Sequence, residues 1–269
     1  ERNKLVIKEN ILTDLQDGAD VNAALAEFYY ALDIEFLEAT KDLLLDHPKS
    51  NLSHDKFLEL TLKASVTKYD SKTQKHVADL EKLKLQGTLI KSSLNHGADI
   101  STNTYISLEA LSAHKDLLLD HPKSNLSPNK FLELALRESV TKYDSETQKH
   151  VTDSEKIKLQ SALIKCSLDR GAVINADLQN ISLEALSAHK DLLLNHPKNN
   201  LSPDKFLEIV LKASITTWNS DAQKSVIDPE KIKLQDTLIG HALDHGAAIN
   251  TDADEQNISL EALSAHKDL

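Results

Sequence analysis

The sequence lacks several features that would assign it to a protein class at once. Its 269 residues include one Cys, no Met and six Gly. A single Cys excludes an intramolecular disulfide framework. No apolar run approaches the roughly 20 residues that a transmembrane helix needs, and no signal-peptide pattern opens the chain. Because even an initiator Met is missing, we expect the chain to be a fragment of a longer protein.

A basic excess is also lacking. The chain has 31 Lys and Arg against 42 Asp and Glu, which gives a net charge of −11. Nucleic-acid binding depends on basic groups that displace counterions, so this balance argues against a nucleic-acid partner. No Gly-rich phosphate loop, Cys-x-x-Cys or Gly-x-Ser-x-Gly motif occurs. We therefore expect no enzyme activity within the chain, with no catalytic residue, cofactor or metal ion.

An internal repeat is the dominant feature of the sequence. The string Lys-Asp-Leu-Leu-Leu begins at Lys41, Lys115 and Lys190, and its start recurs at Lys267. The spacings are 74, 75 and 77 residues, and similarity extends through the whole period. The prediction is a single array of one unit. The predicted divisions are a partial repeat at 1–21, three repeats at 22–100 (with an atypical start), 101–175 and 176–250, and a partial repeat at 251–269.

Each unit contains signals for three helices, here called segments A, B and C. Segments A and B begin at Ser, a good N-cap, and segment A ends at a His-Pro pair, where proline stops a helix. Segment C begins at Asp and ends at Gly, which favours the left-handed closing conformation. The Ser residues are 107, 182 and 259 for A and 53, 127 and 202 for B; C runs from Asp79 to Gly97, Asp153 to Gly171 and Asp228 to Gly246.

Segment C carries two apolar stripes, which predicts a helix that is covered on two sides. In the second copy the stripes are Leu159, Leu163 and Cys166, and Ile157, Ile164 and Leu168. A helix between two neighbouring repeats is covered in this way. The sequence therefore predicts an all-α fold, an α-solenoid with about three helices in each 74–77-residue unit.

The end of segment C resembles the second helix and turn of ankyrin repeats. The matching stretches are LIKSSLNHGADIS (89–101), LIKCSLDRGAVIN (163–175) and LIGHALDHGAAIN (238–250), with LQDGADVN at 15–22. The family's Thr-Pro-Leu-His opening is absent, and the spacing from Pro48 to Gly97 is 49 residues where an ankyrin repeat has about 33. The resemblance implies a non-catalytic protein-interaction scaffold. Such arrays are common in effectors that intracellular bacteria deliver to host cells, which would place the protein in the cytoplasm or in a host cell.

Histidines recur with the repeat. His114 and His121 are seven residues apart, as are His189 and His196. Two helical turns separate each pair by about 10 Å, too far for ligands that bind one metal ion at about 2 Å. A packing or capping role is therefore the favoured interpretation. Cys166 aligns with Ser92 and His241, which favours a structural role over a nucleophilic one.

The polar segments between B and C are predicted to form loops that project from one face of the array. Each carries one aromatic residue, Tyr69, Tyr143 or Trp218, and a Gln, at 74, 148 or 223. Tyr and Trp often anchor protein interfaces. One hypothesis is that these residues bind a protein partner, and the alternative is that each ring covers the end of helix B.

The region 22–40 departs from its sister copies. Phe28, Tyr29, Tyr30 and Phe36 hold four of the chain's 11 aromatic residues. A terminal or altered repeat would explain this composition, and an aromatic binding patch at Phe28, Tyr29 and Tyr30 is the alternative.

Two roles from different classes fit the whole sequence. The first is a scaffold that binds a protein partner, and the second is a structural spacer or assembly repeat that carries a separate functional domain. A binding module diversifies exposed positions between its copies, and the segments between B and C do diverge, from Lys142-Tyr-Asp to Thr217-Trp-Asn. This difference favours binding. The partner's identity, the binding face and the oligomeric state stay open.

Overall fold

A computed structural model describes most of the chain between residues 33 and 248. The described residues are 13, 33–47, 50–72, 75–100, 106–144, 146, 149–174, 181–198, 201–219 and 223–248. The chain forms two compact units, Glu1–Ser127 and Pro128–Leu269. Each unit is described by itself below.

The described residues are mostly helical, and the order helix, two-stranded hairpin, helix, helix recurs along the chain. The first unit contains α1 (Ile34–Asp46), α2 (His54–Lys63), β1 (Thr67–Asp70), β2 (Lys75–Ala78), α3 (Leu80–Asn95) and α4 (Leu108–Asp120). The second contains α5 (Pro128–Arg137), β3 (Thr141–Asp144), β4 (Lys149–Thr152), α6 (Ser154–Asp169), α7 (Leu183–Asn195), α8 (Pro203–Lys212), β5 (Thr216–Asn219), β6 (Lys224–Ile227) and α9 (Pro229–Asp244).

The predicted helix signals are confirmed where the structure describes them. The Ser107 hydroxyl accepts a hydrogen bond from the Ala110 amide, and the Asp153 carboxylate accepts from the amides of Glu155 and Lys156. Helix α4 ends at Asp120, directly before the His-Pro pair. The Ser107 and Asp153 side chains satisfy amides of the first turn that have no partner within the helix, so they fix where each of these helices begins.

The segments between B and C are hairpins, so the expectation of loops, and with it an all-α fold, was wrong at these places. Strands β1 and β2 pair antiparallel, as do β3 with β4 and β5 with β6. The base of the second hairpin is fixed because the Asp153 amide donates to the carbonyl of Val140, whose side chain is fully buried. Val66 and Ile215 hold the same position in the other copies. The strands carry mostly polar residues on both faces, so no apolar alternation marks them in the sequence.

The core of each unit is built around a phenylalanine of segment B. Phe57 in α2 packs in the first unit with the buried apolar residues of α1 and with Leu89 of α3. In the second unit Phe206 of α8 packs in one large cluster with residues from α5, α6, α7 and α9. Both rings are almost fully buried. The amphipathic B helices therefore supply the largest apolar side chains of the core.

The glycines that end segment C adopt the predicted left-handed conformation. The φ angles are 82° at Gly97, 84° at Gly171 and 91° at Gly246. The amide of Gly246 donates to the carbonyl of Leu243, and the next amide donates to the carbonyl of Ala242. These bonds satisfy carbonyls of the last helical turn.

Alanine should have opposite effects at two glycines of the second unit. At Gly246 the positive φ makes a side chain unfavourable, and we expect Gly246→Ala to lower the free energy of unfolding by about 1–2 kcal/mol. Gly240 lies inside α9, and a Cβ there would meet no atom within 4 Å. Gly240→Ala should raise the free energy of unfolding by about 0.5–1 kcal/mol because alanine loses less backbone entropy in a helix. Urea unfolding of the two variants measures both effects, and equal changes at the two positions would contradict the assigned backbone conformations.

Candidate functional site

One face of the β3–β4 hairpin presents an exposed tyrosine. Cross-strand partners in an antiparallel pair lie on the same face, and residues two apart on a strand share that face. The register pairs Tyr143 with His150 and Thr141 with Thr152, so these four residues form one surface, here called the hairpin face. The Tyr143 side chain is 59% exposed, and its ring meets that of His150 edge-on at 5.7 Å.

The hairpin of the first unit has the same backbone register. Tyr69 pairs with His76 and Thr67 with Ala78, and Tyr69 is also 59% exposed. At these two positions, therefore, the ring is not buried against the end of the preceding helix. A large aromatic side chain that stays mostly in water on a short hairpin is a candidate contact for another molecule.

In the second unit a groove lies beside the hairpin face. Its volume is about 1030 Å³. Its lining includes three residues of the hairpin face, the start of α7 and residues of α9. The lining residues are Ser139, Thr141, His150, Thr152, Ser182, Glu184, Thr217, Asp228, Glu230, Lys231, Lys233, Leu234 and Thr237. Three carboxylates, two ammonium groups and several hydroxyls thus face one open space.

Lysines of segment C hold the hairpins against the helices that follow them. Lys156 donates from Nζ to the carbonyl of Thr141 at 3.1 Å, and Lys231 donates to the carbonyl of Thr216 at 2.9 Å. Each bond joins a strand to the first turns of the next helix. The groove wall is therefore tied to the helical part of the unit at two points.

The structure describes only some of the remaining predicted binding residues. Gln223 is exposed at the tip of the third hairpin with a φ of 48°. The backbone of Trp218 lies in β5 and pairs with Ser225. Outside the described part lie the Trp218 side chain and Gln74, Gln148, Phe28, Tyr29 and Tyr30. Phe36, the fourth aromatic of the N-terminal group, is buried in α1.

A buried glutamine–histidine contact joins segment C to the next segment A in the first unit. Gln86 of α3 donates from Nε2 to the carbonyl of Thr61, at the end of α2, at 2.8 Å. Its Oε1 lies 2.9 Å from Nε2 of His114 in α4. Gln86 is fully buried and His114 nearly so. The glutamine therefore binds two other helices at once.

The second unit repeats this contact with one addition. Gln160 of α6 donates to the carbonyls of Ala135 and Glu138 at 2.6 and 2.9 Å, and its Oε1 lies 2.6 Å from Nε2 of His189 in α7. The Ser161 hydroxyl lies 3.2 Å from the other ring nitrogen of His189. Because the glutamine Nε2 group is used as a donor, Oε1 must accept, and the network assigns the proton to Nε2 of the histidine.

Burial lowers the pKa of His114 and that of His189 to about 4. Both rings are therefore neutral at pH 7. The packing role expected for His114 and His189 is confirmed. The Nδ1 atoms of His121 and His196 accept bonds from the amides of Lys123 and Lys198, in the turn after each helix.

Sequence reasoning missed the glutamine partners. Gln86 and Gln160 lie within the apolar pattern of segment C, and their equivalent in the third copy is Gln235, which donates to the carbonyl of Val210 at 2.6 Å. The sequence signal for this contact is a glutamine that recurs at the same position of segment C. A buried polar side chain needs a hydrogen-bond partner, so its recurrence indicates a conserved contact between helices of the repeat.

The one cysteine of the chain lies beside an arginine. Cys166 is half-buried, and Nη1 of Arg170 lies 2.6 Å from its sulfur. Among the described residues no three His, Cys, Asp or Glu side chains lie where they could hold a metal ion together. No helix within that same part has both the length and the apolar character needed to cross a membrane.

Comparison of the chain with protein-family models, with curated proteins and with solved structures gave no match.

Proposed function

We propose that the chain is a non-catalytic scaffold that binds a protein partner through the faces of its hairpins. The observation that carries this proposal is the exposure of Tyr143 and Tyr69, each 59% exposed on a short hairpin. Tyrosine offers a large contact area with little side-chain entropy to lose, so exposed tyrosines are common anchors of interfaces.

The pattern of differences between copies supports the same role. Two exposed residues of α4, Ala113 and Asp116, have identical counterparts in α7, Ala188 and Asp191. The hairpin face changes instead: in the third copy Ser225 replaces His150, and Ile227, which is 51% exposed, replaces Thr152. Exposed helix positions are as free to drift as exposed hairpin positions. Divergence at the hairpin face is what a binding surface with different contacts in each copy would produce.

The groove extends this surface in the second unit. Its lining combines hydroxyl groups with charges of both signs, so it suits the polar backbone and side chains of an extended polypeptide. The net charge of −11 favours a partner with basic residues, because opposite charge speeds the encounter of two proteins.

As part of this proposal we regard the chain as an ankyrin-like α-solenoid and as a candidate bacterial effector that acts on host proteins. The support is the Gly-Ala turn that ends segment C, with a positive φ at each glycine, and the packing of B and C helices in one core. The spacer role is the second candidate, and the near identity of α4 and α7 favours it, since a spacer needs no variation between units.

Removing the three hairpin aromatics together should abolish partner binding without unfolding the protein. The variant is Tyr69→Ala, Tyr143→Ala and Trp218→Ala, where Trp218 is included because it occupies the same register position. Affinity capture from a host-cell lysate compares this variant with the wild type. We expect at least a tenfold lower recovery of a specific partner, which corresponds to about 1.4 kcal/mol. We also expect a melting temperature within about 2 °C of the wild type, because substitutions at exposed positions such as Tyr69 and Tyr143 change stability little.

A matched control variant carries three substitutions on exposed helix positions: Asp116→Ala, Asp191→Ala and Lys158→Ala. It should retain the partner. Loss of binding in the control alone would place the binding face on the helices. Recovery of no partner by the wild type would favour the spacer role.

A further inference from the structure

The two glutamine–histidine contacts have a common geometry that goes beyond packing. In each, one glutamine joins the end of helix B, the middle of helix C and the middle of the next helix A. We infer that Gln86–His114 and Gln160–His189 are acid-sensitive locks, which hold each helix A on the preceding helix C at neutral pH and release it when the histidine is protonated.

Only one ring nitrogen of each histidine can accept a further proton. Nε2 of each ring already carries the hydrogen that is donated to glutamine Oε1. An added proton must therefore bind to Nδ1. At the first lock the residue beside Nδ1 is Gly87, where a Cβ would lie 3.3 Å from that nitrogen, and glycine offers no side-chain acceptor. At the second lock the neighbour is the Ser161 hydroxyl, a neutral group. Among the described residues, neither ring contacts a carboxylate that would stabilise an imidazolium ion.

Burial is the cause of the lowered pKa at both histidines. No charged side chain on the described helices that pack against them contributes: these are α3 for His114, and α6, α8 and α9 for His189. The side chains that face the rings from segment C are Gln86 at the first lock, and Gln160 and Ser161 at the second. A cation formed at either position would be buried without a counter-ion, which the fold opposes.

The direction of the pH effect follows from the two states of the histidine. The unfolded chain binds a proton near pH 6.5, whereas the folded protein binds it only at about pH 4. The stabilisation is therefore fully present above pH 6.5, decreases as the pH falls through this window, and is lost near pH 4. A protein that passes from a neutral to an acidic compartment would lose the lock within this range.

The test compares the full chain with His189→Gln by urea unfolding at pH 7 and pH 4.5. Glutamine can still donate to Gln160 but has no titratable group in this range. Acidification should raise the unfolding equilibrium constant of the wild type about 50-fold more than that of the variant. His150→Gln is the matched control, because the same change is made at an exposed ring of the same unit; it should keep the acid sensitivity of the wild type.

A second measurement does not depend on the stability of any variant. Nitrogen-detected NMR of the wild-type imidazoles should show His114 and His189 as neutral rings with hydrogen on Nε2 down to about pH 5. Equal acid sensitivity of the wild type and His189→Gln would overturn the inference. So would protonation of both rings near pH 6.5 in the folded protein.

Discussion

Replacing Gln160 by alanine should lower the free energy of unfolding by about 3 kcal/mol or more, since it leaves several buried polar groups without partners at about 1–3 kcal/mol each. The side chain is fully buried. It serves the carbonyls of Ala135 and Glu138 at the end of α5 and accepts from His189 in α7. The cavity left by the missing amide adds to this cost, and no neighbouring side chain of the hydrophobic cluster can replace the donor.

Lys158→Ala on the same helix is the matched control. Lys158 is 72% exposed and pairs with Glu155 at 2.8 Å. Its removal should change the free energy of unfolding by less than about 0.5 kcal/mol, as is usual for exposed ion pairs. Urea unfolding followed by circular dichroism measures both variants. A loss below about 1 kcal/mol for Gln160→Ala would show that water satisfies the exposed carbonyls and that the glutamine adds little.

The helices could be predicted because their boundaries are local. Ser107 and Asp153 accept hydrogen bonds from amides within the next three residues, and Gly171 closes α6 through a backbone conformation that other residues avoid. Such signals depend on neighbours in the sequence alone. For the same reason, the exposed tyrosines could be identified as candidate contacts once the repeats were aligned.

The hairpins could not be predicted in the same way because the contacts that stabilise them involve residues outside the paired strands. Tyr143 and Lys142 are both exposed, so the strand shows no alternation of apolar and polar residues. Pairing of β3 with β4 depends instead on the buried base at Val140 and on the bond from Lys156 to Thr141. Both contacts involve residues outside the paired strands.

The glutamine–histidine contacts were missed for a related reason. Gln160 and His189 are 29 residues apart and lie on different helices. Only the packing of α7 on α6 brings the two side chains together. Comparison of the copies shows the link, because the pair Gln86 and His114 recurs as Gln160 and His189. In the N-terminal copy Thr40 occupies the histidine position, and its hydroxyl donates to the carbonyl of Phe36 in its own helix.

Phe206→Ala should strongly destabilise the second unit, with an expected loss of about 3–5 kcal/mol in the free energy of unfolding. The ring is fully buried. It lies in the cluster formed by α5 to α9 and meets the ring of His241 edge-on at 6.5 Å. The surrounding helices are anchored by N-caps and by Gln160 and Gln235, so they cannot collapse far into the space that alanine leaves.

Tyr143→Ala is the matched control, because it removes an aromatic ring of similar size from the same unit. Since Tyr143 is mostly exposed, its loss should change the free energy of unfolding by less than about 0.5 kcal/mol. Thermal and urea unfolding of the two variants compare the free energy of unfolding lost with a core aromatic ring and with a surface aromatic ring. If Tyr143→Ala destabilised the protein as much as Phe206→Ala, the tyrosine would be a structural residue, and the hairpin face would lose its main argument as a binding surface.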